Sequence, residues 1–190
     1  MLIFLSCSSL YTLVGLLLSL HVVALSLTNT MSYTYPKVWS FPPFFTKQPN
    51  KETYDTQVNE WIKIIHEYCK SCKVWKITRE CPVFTNTAIR RQLETSFIEE
   101  IFRELERRGG GSIVSDGVYI WWYTLEEWSS RVYEWVEDNG QKGVMMTVFE
   151  LEGQFDGMPY DMMEKVLKRL EKQGKVTTVV ERDEIVGVKF

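Results

Sequence analysis

Two histidines, four cysteines and one run of three glycines are the residues of this chain whose types could do chemistry. His21 lies in an apolar leading stretch. His66 sits between Ile65 and Glu67 in a helical pattern and reads as a partly exposed helix position, not a catalytic base. Cys69 and Cys72 form a Cys-x-x-Cys pair, but no second pair and no neighbouring histidine completes a tetrahedral zinc set. Together with Cys7 and Cys81 they read as ordinary reduced thiols. Gly109-Gly110-Gly111 follows a helical run, whereas a phosphate-cradling loop would precede one. There is no nucleophile elbow and no metal-binding helix motif, and the carboxylates are scattered among basic residues. The sequence therefore reads as a non-enzyme, with no catalytic residue, metal site or cofactor expected.

Binding is the remaining chemistry, and Phe41-Pro42-Pro43-Phe44-Phe45 is its strongest sign. Adjacent prolines fix φ near −65° and remove two backbone donors, which predicts an extended, polyproline-like rod. A rod has no core of its own to hide Phe41, Phe44 and Phe45, so they must be buried against this protein's own domain or against a partner.

The elements that would carry this segment follow from the hydrophobic period. The 190 residues can hold one medium domain or two small ones. A hydrophobic share of 45% with 25% charged residues is that of a folded protein, and seven Trp, nine Tyr and ten Phe can pin two cores. A net charge of −3 argues against a nucleic-acid footprint. From Glu52, residues Val58, Trp61, Ile62, Ile65 and Cys69 predict a helix ending near Lys70-Ser71. A short strand is expected at Val74-Trp75-Lys76-Ile77, then a brief helix capped by Asn86 or Thr87 and running through Leu93. A third helix, capped by Thr95 or Ser96, buries Phe97, Ile98, Ile101, Phe102 and Leu105. A hairpin then turns at Asp116-Gly117.

The second half repeats the order: a helix at 125–138, a strand at 144–147, a capping box from Thr147 to Glu150, a loop at 153–159, a helix ending at Gly174, and a closing hairpin. Ile101-Phe102-Arg103-Glu104-Leu105-Glu106-Arg107-Arg108-Gly109 aligns with Val166-Leu167-Lys168-Arg169-Leu170-Glu171-Lys172-Gln173-Gly174, and Trp61 and Trp128 take equivalent places. Helix, strand, helix, helix, strand, strand is the winged-helix order. The expected architecture is α+β: two tandem winged helices at 52–123 and 124–190, preceded by an extended anchor at 31–51 and an apolar leader at 1–30. The linker near Thr124 is short enough to be rigid. Winged helices often bind DNA, so a nucleic-acid-binding or transcription-associated protein is the alternative. The mixed charges of both third helices favour protein interaction instead.

Residues 2–30 carry no charge, and the stretch 13–27 is strongly apolar. It reads either as a signal peptide or anchor, or as an upstream extension with Met31 as the working start.

The string from Tyr35 to Asn50, Tyr-Pro-Lys-Val-Trp-Ser-Phe-Pro-Pro-Phe-Phe-Thr-Lys-Gln-Pro-Asn, resembles the N-terminus of the vacuolar protein sorting-associated protein 25 family, the small subunit of ESCRT-II. The likeness continues in Trp61-Ile62-Lys63-Ile64-Ile65, Tyr68-Cys69-Lys70, Phe84-Thr85-Asn86 with Ile89-Arg90-Arg91, Glu127-Trp128, Val148-Phe149-Glu150-Leu151 and Gly187-Val188-Lys189-Phe190. It covers residues 33–190. The resemblance implies a non-catalytic scaffold present in two copies, held to the larger subunits, vacuolar protein sorting-associated proteins 22 and 36, by a Pro-Pro-x-Tyr-type segment. The second winged helix would recruit the first ESCRT-III component, for sorting ubiquitinated cargo into multivesicular endosomes. It implies a cytoplasmic protein recruited peripherally to endosomes, with no membrane span and no nucleic acid, and so favours Met31 as the start. By the same match Pro42, Pro43, Phe44 and Phe45 carry the main anchor, with Pro36 and Trp39 as a weaker copy. Lys37 breaks the first Pro-Pro pair, and Phe45 or Trp39 stands where tyrosine can occur. The segment then reads as a plug for a partner, lying outside both cores.

Overall fold

Asn50 starts the first helix. In the computed structural model, which describes residues 33–190, its side chain accepts from the Glu52 and Thr53 amides, and α1 runs Lys51–Cys72. Trp61, Ile64, Ile65 and Cys69 are fully buried, the i, i+3, i+4, i+8 spacing of one inward stripe. Ile62, expected on that stripe, is only half-buried; it lies about 100° around the helix from Trp61, and Ile64 takes its place. The helix closes with Lys73 in the left-handed region, at φ 53°.

After α1 come β1 (Lys76–Ile77), a 3-10 turn (Pro82–Phe84), β2 (Thr85–Asn86), β3 (Arg91–Gln92), α2 (Thr95–Arg107), β4 (Gly111–Val114) and β5 (Gly117–Ile120). The brief helix expected between Asn86 and Leu93 is instead a β2–β3 hairpin. The Asn86 side-chain oxygen accepts from the Ala88 and Ile89 amides at 3.1 and 3.4 Å, Arg90 takes φ 53°, and the Leu93 amide returns to the Phe84 carbonyl at 2.9 Å. An asparagine closing a turn over the next residues diverts the donors that a helix needs. The cap expected at Thr95 or Ser96 is also displaced: Glu94 is the N-cap, without a side-chain bond, and Thr95 is the first helical residue.

The second half runs α3 (Leu125–Asp138), β6 (Met145–Thr147), α4 (Val148–Gln154), α5 (Tyr160–Lys172), β7 (Thr177–Glu181) and β8 (Glu184–Lys189). Capping boxes at Thr124/Glu127 and Thr147/Glu150 start α3 and α4. α4 extends through Gly153 and Gln154, which were expected in a loop. Each half closes an antiparallel three-stranded sheet, in the orders β1-β5-β4 and β6-β8-β7. α2 and α5 end alike: Gly109 and Gly174 take φ 72° and 68°, and the next amide returns to Leu105 or Leu170 at 2.9 or 3.0 Å. Gly117 has a different role. A Cβ there would stand 2.2 Å from the Ile77 carbonyl oxygen, so only glycine lets β5 close on β1.

Tyr35–Phe190 form one compact unit. Its joint is aromatic: Trp75, after α1, stacks on Trp122 at 3.8 Å and 15°, and its indole donates to the Asp156 carbonyl at 2.9 Å. Lys73 pairs with the Asp156 carboxylate at 2.6 Å, and the Trp122 indole donates to the Val74 carbonyl at 3.0 Å. The short linker is thus braced on both sides.

Candidate partner-binding site

Residues 36–45 do not form the expected extended rod. They coil into two 3-10 turns, Lys37–Ser40 and Pro42–Phe45. Proline's fixed φ suits a 3-10 turn as well as polyproline, and at the first two positions its missing donor would be unused in any case. The turns close through Trp39 N to Pro36 O (3.0 Å), Phe41 N to Val38 O (3.0 Å), Phe44 N to Phe41 O (2.9 Å) and Thr46 N to Pro43 O (3.1 Å).

That coiling sorts the aromatic rings. Phe44 and Phe45 are 6% and 4% exposed, inside the first core rather than outside both. Phe44 stacks on Trp61 at 4.5 Å, and Phe45 meets the same indole edge-on at 5.4 Å. The backbone is held as firmly. The Trp61 indole donates to the Phe44 carbonyl at 3.2 Å, and the buried Gln57 donates to the Phe44 and Thr46 carbonyls at 2.8 and 2.9 Å. Trp128, at the equivalent place in α3, has a buried indole nitrogen with no hydrogen-bond partner among the described residues.

The Trp39 indole donates to the Val83 carbonyl at 2.9 Å, and its own carbonyl accepts from Asn86 at 3.0 Å. Tyr35 stacks on Trp39 at 3.8 Å. Downstream, Lys47 bonds Glu100 at 2.7 Å and Tyr54 donates to the other Glu100 oxygen at 2.7 Å. These two bonds hold the Glu100 carboxyl below its ordinary pKa, while burial and then the Glu100 carboxylate push Tyr54 up to about 12.

What stays outside is Phe41, 58% exposed, with Pro42 and Pro43 beside it. Val38, Phe41, Pro43, Thr53, Gln57 and Glu60 line an open, mainly apolar groove of about 200 Å³. β3 packs beside the second 3-10 turn. The candidate residues therefore divide. Pro42 and Pro43 form the tip, Phe44 and Phe45 the root, and half-buried Pro36 and Trp39 a brace. Phe41 at the tip was read in the sequence only as one of three crowding rings. Gln57 and Asn86, which hold the segment, were missed as its supports; buried polar side chains have no periodic signature. The site offers mainly apolar surface.

A family model described as "ESCRT-II complex subunit" matches residues 38–166. The vacuolar protein-sorting-associated protein 25 of Danio rerio is 32% identical over 174 residues, spanning 84% of this chain and 99% of that protein. That of Saccharomyces cerevisiae is 28% identical, spanning 81% and 97%. Among solved structures, subunit VPS25 of the endosomal trafficking complex ESCRT-II superposes with a TM-score of 0.76 at 28% identity, covering 84% of this chain and 100% of that one. A chain in the endosomal complex ESCRT-II (VPS22/VPS25/VPS36) superposes with a TM-score of 0.71, covering 81% and 97%.

Proposed function

Because this chain belongs to the ESCRT-II complex subunit family, we propose that it is the small, non-catalytic subunit of ESCRT-II. It binds the larger winged-helix subunits, of the VPS22 and VPS36 kinds, through its N-terminal segment. The observation that carries this reading is the Phe41-Pro42-Pro43 tip: apolar, exposed, and fixed in place by Phe44 and Phe45 in the core behind it. A surface held this way loses little conformational entropy on docking. Phe45 stands where the Pro-Pro-x-Tyr-type pattern can carry tyrosine, and its ring is sealed in the core. The grip on the partner comes from apolar burial and not from a hydroxyl.

The second winged helix recruits the first ESCRT-III component. Support comes from its exposed apolar side chains: Phe149 at the start of α4 is 83% exposed, and Met145 and Val144 nearby are also open. Two copies of the chain serve each complex, in the sorting of ubiquitinated cargo into multivesicular endosomes, with the protein recruited peripherally from the cytoplasm. Among the described residues no helix is long and apolar enough to cross a membrane. The apolar leader expected at 1–30 lies outside the described residues.

The test is co-purification of the Phe41→Ala/Pro43→Ala chain with the larger subunits. Both residues are exposed, so the variant stays folded; it is expected to lose the partners. Retention of both partners at wild-type yield would refute the reading. Phe45→Ala is unsuitable for this purpose, because it would remove core as well as anchor.

A further inference from the structure

Each sheet presents one outer strand made by the wing, β4 in the first half and β7 in the second. In an antiparallel pair, residues alternate between bonding the partner strand and pointing their N–H and C=O outward. On β4 the Ile113 amide donates to the Glu106 carboxylate at 2.9 Å. On β7 the Thr178 amide donates to Glu171 at 3.4 Å, and the Thr178 hydroxyl donates to the same oxygen at 2.5 Å. Ile113 faces Val118 and Thr178 faces Val188 in the two ladders. Glu106 and Glu171 are equivalent in the repeat, each seven residues before its target and directly after the buried Leu105 or Leu170.

The two edges differ in hazard. β7 and its lead-in read Val176-Thr177-Thr178-Val179-Val180, five uncharged β-branched residues in a row, with Val179 and Val180 exposed. That is the composition of a segment prone to strand addition. Lys175 and Glu181 bracket it, and a register shift between Val179 and Val180 bends its far end. The middle of the strand has neither a charge of its own nor a bend. β4 is shorter, and Gly111-Ser112 at its start are poor strand formers.

We propose that Glu106 and Glu171 are edge guards: each occupies the outward amide of its wing's outer strand and closes that edge to pairing with a second copy of this chain. The carboxylate takes the donor a new strand would need and sets a negative charge on its path. Glu171 bears the greater share, because the strand it covers is the longer and more apolar one. Such a guard suits a protein whose assembly runs through dedicated side-chain surfaces and not through its strand edges, although the proposal stands without that role.

The test uses the full chain, purified alone, by sedimentation velocity across a range of concentrations with circular dichroism as a check on the fold. Glu171→Ala is expected to associate at concentrations where the parent does not, and Glu106→Ala to do so less. Glu171→Gln, whose amide oxygen still accepts the Thr178 N–H, is expected to stay closer to the parent. Adding Val179→Lys to Glu171→Ala restores the parent's behaviour by charging the edge itself. Exchange of the Thr178 amide in Glu171→Ala is expected to quicken by about fivefold or more. Parent-like sedimentation of Glu171→Ala, association that persists with Val179→Lys, or unchanged Thr178 exchange would each overturn the proposal. So would loss of the helical signal in Glu171→Ala, which would make Glu171 a fold determinant instead.

Discussion

Phe41 and Phe45 are four residues apart and meet opposite surroundings, one 58% exposed at the tip and one 4% exposed against Trp61. Phe45→Ala is therefore expected to cost about 3–5 kcal/mol of unfolding free energy, and Phe41→Ala less than about 0.5 kcal/mol; urea denaturation of the two variants measures both. The segment's aromatic content was legible in the sequence. Which ring turns inward was not, because a 3-10 turn and a polyproline rod share proline's φ and differ in ψ, which proline does not fix and the hydrogen bonds of the later residues select. His66 gives a second residue-scale test. It lies under Gly110, where a Cβ would stand 2.8 Å from its Nε2. Burial lowers its pKa below the ordinary 6.5, partly offset by a hydrogen bond with the Trp121 backbone. The fold thus prefers the neutral ring. That contribution is complete above pH 6.5 and is lost as the pH falls from there through the lower folded value. The thermal midpoint of the parent should drop over this window, and the drop attributed to this ring should be absent in His66→Gln.

At the scale of elements, the helices were read well because each buries one stripe at a regular period, as α3 does with Trp128, Val132 and Val136. The Thr147/Glu150 capping box was equally plain, since its two partners are local in sequence. The β2–β3 hairpin was misread as a helix. Asn86 can cap a helix or close a turn with the same side-chain oxygen, and the choice is made by nonlocal bonds from Leu93 to Phe84 and from Asn86 to Trp39. Val83-Phe84 close the 3-10 turn after β1 and Val148-Phe149 open α4 after β6, yet Phe84 is sealed and Phe149 is open. Phe84 meets Trp61 and Phe102 in the first core, at ring distances of 6.1 and 6.0 Å, while Phe149 is 83% exposed. Phe149→Asp should accordingly leave the melting temperature and binding to the larger subunits unchanged, while binding of the first ESCRT-III component falls at least about tenfold, a loss of about 1.4 kcal/mol. Isothermal titration checks both halves of that expectation.

For the molecule as a whole, the tandem repeat and the α+β class could be read directly, because Glu106/Glu171 and Gly109/Gly174 recur at one fixed offset. The joint between the halves could not. Trp75, Trp122 and Asp156 are far apart in sequence and belong to no shared period, and only the fold brings them within stacking and hydrogen-bond distance. Nor could the sequence show that the N-terminal segment is part of the first core at one end and exposed at the other. The fold buries the root, Phe44 and Phe45, in this chain's own core and leaves Phe41, Pro42 and Pro43 exposed; on the proposed reading that tip is the surface for a partner. Measuring the affinity of the folded Phe41→Ala/Pro43→Ala chain for the larger ESCRT-II subunits tests this division most directly. A loss of binding with an unchanged unfolding midpoint is the predicted result, and parent-like affinity in a folded variant would contradict it.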